Sequence, residues 1–196
     1  LIPSAQFINA GEEGRVPPTI THIYFMCSKE QKIRTLARLI KLYKPNKALV
    51  FIQRNEGVAS LEKRLKDLGV EAVGLHSDLP SQLRRGLLEK FRLGRCSILI
   101  TTDLLARGMD FEEVDYIFNY DLPIDEKHYL HRAGRTGRAG QPGTAVTLVA
   151  ENQKNIIPKL ARTLRIKFTQ MGLSEKGIFP VAYSGKIKTR EEKLHN

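Results

Sequence analysis

Short apolar runs alternate with longer segments of helical spacing over most of this chain, and no other feature limits its possible folds so tightly. Ile20 to Met26 is rich in β-branched and aromatic residues and reads as a strand. Ser28 and Gln31 then form a capping-box pattern, and Ile33, Leu36, Ala37, Ile40 and Tyr43 recur at helical spacing until Pro45-Asn46 breaks the run. Ala48 to Ile52 reads as a buried strand. Val58, Leu61, Leu65 and Leu68 give a second helix, with Gly69 placed to end it. Strands follow at Glu71 to Leu75, Cys96 to Thr101, Val114 to Asn119 and Thr144 to Val149, with helices at Ser81 to Arg92 and Asp125 to Ala133. The pattern predicts an α/β fold: a mostly parallel sheet with helices on both faces and ligands at the carboxyl ends of strands.

With 196 residues, the chain has room for one such domain and its appendages. Residues 1–19, with Gly11, Gly14 and Pro17-Pro18, read as a linker, and residues 20–150 as the domain. From Glu151 the alternation is expected to stop. One helix fits around Asn152 to Leu164, although Pro158 argues against it. Residues 151–196 hold seven Lys and three Arg against four Glu, which is +6 of the chain's total of +11. They read as a basic C-terminal extension, either a solvated tail or an auxiliary nucleic-acid contact. The overall basic excess favours a polyanionic partner, nucleic acid first. Cys27 and Cys96 lie far apart beside apolar runs, as free thiols would in a reducing compartment. No apolar run approaches the ~20 residues that span a bilayer. The expectation is an intracellular protein, cytoplasmic before nuclear or organellar, without membrane contact.

Three motifs carry chemistry. In His131-Arg132-Ala133-Gly134-Arg135-Thr136-Gly137-Arg138-Ala139-Gly140, Arg and Gly each recur every third residue. Three glycines should end an entering helix and let backbone approach a ligand closely. Guanidinium groups bind phosphate oxygens in planar, bidentate fashion, so the stretch reads as arginines presented to phosphate. Thr101 to Asp110 directly follows an apolar strand. A hydroxyl and free amides there suit a phosphate, and a carboxylate such as Asp110 suits a ribose; a turn with a cap at Asp103 fits equally. Gln82-Leu83-Arg84-Arg85 opens a helix, where basic side chains also favour phosphate.

In order and spacing these motifs resemble the second RecA-like domain of DEAD-box RNA helicases over residues 20–150. Val50 to Ile52 is similar to motif IV, Gln82 and Arg85 to the Q-x-x-R element, Thr102 to Asp110 to motif V, and His131 to Gly140 to motif VI. Asn119 to Pro123 is family-typical as well. Motif VI opens with His131, as in the DEAD-box branch, where related helicase groups have Gln.

The resemblance implies a fold, a mostly parallel RecA-like sheet, and a set of roles. Arg135 and Arg138 would reach the ATP γ-phosphate, Arg138 as arginine finger, and Asp110 would hold the ribose. Arg107 and His131 would support the interface with a first RecA-like domain. Arg85, Thr102 and Gln82 would lie along RNA, with amides near Gly108 and at Ser77. The family usually has His-Gly where this chain has His76-Ser77. ATP and Mg²⁺ are the implied cofactors. The phosphate loop and the Asp-Glu-Ala-Asp motif, which belong to the first domain, occur nowhere here, so the chain reads as part of a longer protein, inactive alone. RNA, the first domain and proteins bound through the extension are the implied partners. A stand-alone RNA-binding module and a DNA-directed helicase domain fit the same motifs.

Overall fold

The computed structural model describes residues 16–107, 109, 111 and 114–181. The elements run β1 (Ile20–Met26), α1 (Lys32–Tyr43), β2 (Ala48–Phe51), α2 (Gly57–Asp67), β3 (Val73–Gly74), α3 (Ser81–Arg92), β4 (Ile98–Thr101), α4 (Asp103–Ala106), β5 (Tyr116–Asn119), α5 (Glu126–Ala133), β6 (Gly143–Val149), α6 (Ile156–Leu164), β7 (Phe168–Ser174) and β8 (Gly177–Pro180). They build an eight-stranded sheet in the order β3-β4-β2-β5-β6-β1-β7-β8. All neighbouring strands are parallel except β7 and β8.

Side-chain alternation along the central strands divides the core in two. Ala48 and Val50 of β2, Ile98 and Ile100 of β4 and Phe118 of β5 face α1 and α2, where Leu36, Ile40, Val58, Leu61 and Leu65 close over them. Leu49, Phe51, Leu99 and Ile117 point the other way, against Phe91 of α3, Tyr129 and Ala133 of α5 and Leu160 of α6. A strand buried on both faces reads as a continuous apolar run, which is why these strands were visible in the sequence.

Four expected strands are shorter than predicted: β2 ends at Phe51, β4 starts at Ile98, and β3 and β5 are trimmed as well. The edge strand β3 keeps only Val73–Gly74. β5 starts at Tyr116 because Asp115 turns its carboxylate to accept the Asn46 and Lys47 amides at 3.0 and 2.9 Å. Val114 instead bridges to Thr136.

The alternation does not stop at Glu151. α6 forms despite Pro158, which sits in the first turn, where its missing N–H leaves no helical bond unmade. β7 then pairs in parallel with β1, from His22 against Phe168 to Phe25 against Met171, and β8 returns as a hairpin. β7 leaves no strand signal in the sequence because FTQMGLS mixes polar and apolar residues without a run, and every residue in it is half-buried. The basic segment read as an extension therefore contributes sheet through Pro180. Residues 182–196, like residues 1–15 of the expected linker, lie outside the described residues. Cys27 and Cys96 are free and half-buried. No helix among the described residues is long and apolar enough to cross a membrane.

Candidate functional site

β4, β2 and β5 are neighbours and end level, with Phe51 opposite both Thr101 and Asn119. The chain leaves β4 into α4 and leaves β5 through Tyr120 to Pro123 into α5. Arg132 binds these exits together. Its Nε and Nη2 donate to the two carboxylate oxygens of Asp103 at 2.9 and 2.8 Å. Its Nη1 donates to Asn119 Oδ1 at 3.1 Å and to the Asp121 carbonyl at 2.6 Å. The guanidinium carbon also lies 5.0 Å from the Phe51 ring centroid. Asp121 continues the network outward, accepting from Lys32 Nζ at 3.2 Å and from the Gln53 amide at 3.0 Å.

Arg132 thus departs from the reading of the arginine-rich stretch as presented to phosphate. It is 1% exposed and spends its donors on protein. The signal was in the spacing: Tyr129, Arg132 and Ala133 stand at i, i+3 and i+4 and form the buried face of α5. Asn119 and Asp121 were noticed only as family-typical; their work is to accept from Arg132.

The neighbouring side chains turn outward. His131, Arg135 and Arg107 line a shallow depression with Phe51, Asp103, Ala106 and Arg132. Its volume of about 10 Å³ is far below the roughly 300 Å³ or more of a ligand pocket, so it encloses no ligand by itself. Arg135 Nη1 donates to the Met109 carbonyl at 2.8 Å, which ties the arginine motif to the loop after α4. Partial burial, then the nearby Arg107, Lys127, His128 and Arg135, push His131 below the ordinary histidine value.

α5 ends at Ala133, as the glycines required, and a 3₁₀ turn follows over Arg138–Gly140. Gly137 has φ +67°, and a Cβ there would lie 2.5 Å from Ile20 Cγ1, so only glycine fits. Its carbonyl accepts from Thr19 Oγ1 at 3.0 Å, and Thr136 Oγ1 donates to the Val114 carbonyl. Arg138 is exposed on this turn, its Nε donating to the Gly134 carbonyl at 3.0 Å. It is not among the side chains lining this depression.

A second depression, of about 250 Å³, lies on the other side of Arg107. Thr102, Ser77, Gln53, Asn55, Leu104 and His128 help to line it. The structure therefore brings Thr102 and Ser77 together and places Arg107 on the ridge between the two depressions. The Ser77 backbone amide, expected to lie along RNA, has a partner within the domain. The amide donates to Asn55 Oδ1 at 2.9 Å, and the hydroxyl donates to Asp78 at 3.1 Å. Gln82 and Arg85 are exposed on the first turns of α3, outside that lining. Between them in sequence, Arg84 donates to the Ser77 carbonyl at 3.1 Å. Gly108 and Asp110 lie outside the described residues.

His128 and Asp125 were not singled out in the sequence. Asp125 caps α5, with one carboxylate oxygen accepting both the His128 amide at 2.8 Å and His128 Nδ1 at 2.7 Å. These bonds hold its carboxyl below the ordinary range. Arg107 Nη2 donates to His128 Nε2 at 3.1 Å. A guanidinium has only donors, so Nε2 is the acceptor and Nδ1 carries the proton.

Residues 31–140 match the family model of the helicase conserved C-terminal domain, a span that runs from the start of α1 to the end of the arginine motif. The C-terminal domain of the DEAD-box protein Dbp5 superposes with a TM-score of 0.71 at 35% identity, covering 78% of this chain and 89% of that one. The chain is a DEAD-box helicase C-terminal domain. The domain also superposes on Dbp5 of S. cerevisiae bound to RNA and ADP BeF3, with a TM-score of 0.74 and 36% identity over 80% of this chain and 42% of that one. The DEAD-box ATP-dependent RNA helicase CshA of Bacillus cereus is 34% identical over 179 residues, 91% of this chain. The domain spans 34% of that relative and 38% of the CshA of Geobacillus kaustophilus, about one third of the length of the curated relatives it matches. Its mostly parallel sheet is the RecA-like fold expected from the motifs.

Proposed function

We propose that this domain is the C-terminal half of an ATP-dependent RNA helicase and acts with a first RecA-like domain that carries the phosphate loop and the Mg²⁺ ligands. The observation that carries this reading is the convergence of Arg107, His131 and Arg135 on an open wall at the carboxyl ends of β2 and β4, beside the Thr102 and Ser77 depression. Such a wall has cations to offer a phosphate but no volume to enclose a nucleotide. It fits a nucleotide held on a facing surface, where an arginine stabilises the charge of the transferring phosphoryl group.

In this reading Arg135 and Arg138 reach the γ-phosphate, with Arg138 as the finger, and Asp110 takes the ribose. Arg107 and His131 meet the first domain. Thr102, Ser77, Gly108, Gln82 and Arg85 follow the RNA backbone, which gives grip without sequence choice. The net charge of +11 adds salt-dependent affinity. The basic segment after Glu151 extends the RNA contact or receives protein partners, inside the cell. A solved Dbp5 complex with Gle1 and a SrmB complex with RraA support the protein-partner reading by analogy.

The test joins the chain to its first domain and measures RNA-stimulated ATP hydrolysis. Arg138→Ala should lower the rate by about 10³-fold or more while RNA binding persists. Full hydrolysis by that variant would remove Arg138 from the finger role. Stronger stimulation by DNA than by RNA at equal salt would favour a DNA-directed helicase, and RNA binding without any hydrolysis would favour a binding module.

A further inference from the structure

Arg107 is exposed at the end of α4 on the ridge between the two depressions, yet its long side chain is not left to wander. Holding an arginine in one rotamer costs side-chain entropy, so an arginine that must meet a partner in fixed geometry gains from a nearby acceptor. Carboxylates are the usual acceptors, but among the described residues Arg107 has none; its hydrogen bond goes to neutral imidazole, His128 Nε2 at 3.1 Å. The imidazole is itself oriented at its other nitrogen by Asp125, at 2.7 Å. Asp125 is in turn fixed as the N-cap of α5 by the His128 amide.

We infer that His128 is a positioning residue: oriented by Asp125, it holds Arg107 on the ridge where the nucleotide wall and the RNA depression meet. The inference rests on the functional reading above. The choice of imidazole over carboxylate has a chemical consequence. A carboxylate would neutralise Arg107 and compete with an incoming anionic partner. A neutral imidazole directs the guanidinium and leaves its positive charge intact. Asp125 contributes orientation at one remove, too far along the relay to ion-pair with Arg107. The arrangement follows the general pattern in which the partner of one ring nitrogen sets the tautomer at the other.

The experiment uses the chain joined to its first domain and reads both the positioning and its consequence. Imidazole ¹⁵N shifts should report His128 as the Nδ1–H tautomer, reversed from that favoured by free histidine, and Arg107→Ala should relax that preference. In RNA-stimulated ATP hydrolysis, His128→Ala should lower kcat/KM by about tenfold, and His128→Gln, which keeps an acceptor at the Nε2 position, should recover most of it. His128→Ala should add nothing in an Arg107→Ala background, because both changes remove the same interaction. An Nε2–H tautomer, an unchanged rate in His128→Ala, or an equal loss in the Arg107→Ala background overturns the inference. Absence of RNA-stimulated hydrolysis in the unaltered joined protein overturns the functional reading, and the tautomer still decides whether His128 holds Arg107.

Discussion

Arg132 and Arg135 stand three residues apart in the same motif, and their environments could hardly differ more. Arg132 is enclosed, with Asp103, Asn119 and the Asp121 carbonyl taking its donors. Arg135 is half-buried on the wall, its Nη1 bonded to the Met109 carbonyl. Helical geometry makes the difference. Arg132 falls on the Tyr129 and Ala133 face of α5, whereas Arg135 follows the Gly134 cap, where the helix has ended. The same residue type thus holds the strand exits together at one position and lines the open depression at the next.

Arg132→Ala should break that comparison hardest. It leaves the Asp103 carboxylate, 17% exposed, without its bidentate partner. Losing one member of a buried pair costs about 3–5 kcal/mol, readable as a shift of the chemical denaturation midpoint. Arg135→Ala should cost less, because the half-buried side chain is not enclosed as Arg132 is. Similar costs at the two positions would mean that the motif is not divided into a structural and a functional arginine.

A second interior group sharpens the contrast through pH. His22 of β1 is 6% exposed, bonded through Nδ1 to Tyr129 Oη at 2.7 Å and packed on Phe168 of β7. Burial lowers its pKa to about 4, from 6.5 in the unfolded chain. Between those values the unfolded state binds the extra proton, so the contribution of neutral His22 is complete above pH 6.5 and disappears as pH falls toward about 4. The loss should reach about 3 kcal/mol. His22→Phe should flatten this part of the pH–stability profile. An equally steep profile in the variant would place the acid sensitivity elsewhere, and His131, on the exposed wall, would then be the group to examine.

The buried elements were the legible ones. β2 and β4 are apolar on both faces, and α1, α2 and α3 carry apolar stripes, so their periods stood out in the sequence. β7 carries no such run because it is half-buried along its whole length, and its place in the sheet depends on pairing with β1, a contact between distant residues. The site divides in the same way. His131, Arg135, Thr102 and Arg107 could be found because motif order is a property of sequence. The Arg107, His128 and Asp125 relay joins two helices across 21 residues, and nothing in local spacing reveals that His128 Nε2 faces a guanidinium.

The smallest expected effect tests the loop where the chain departs from the His-Gly usual in its family. Ser77 is held three ways, through its amide to Asn55, its hydroxyl to Asp78 and its carbonyl to Arg84. Ser77→Gly keeps the two backbone bonds and removes the side chain, so that on the proposed reading an RNA phosphate can approach the backbone more closely. The lost hydroxyl bond is exposed and contributes little to stability. RNA affinity of the joined protein should therefore rise by about threefold at fixed salt, equivalent to roughly 0.7 kcal/mol. Asn55→Ala, which frees the amide itself, should act in the same direction. If affinity falls in Ser77→Gly, the hydroxyl is itself an RNA contact, and the departure from glycine is a gain for this loop rather than an obstruction.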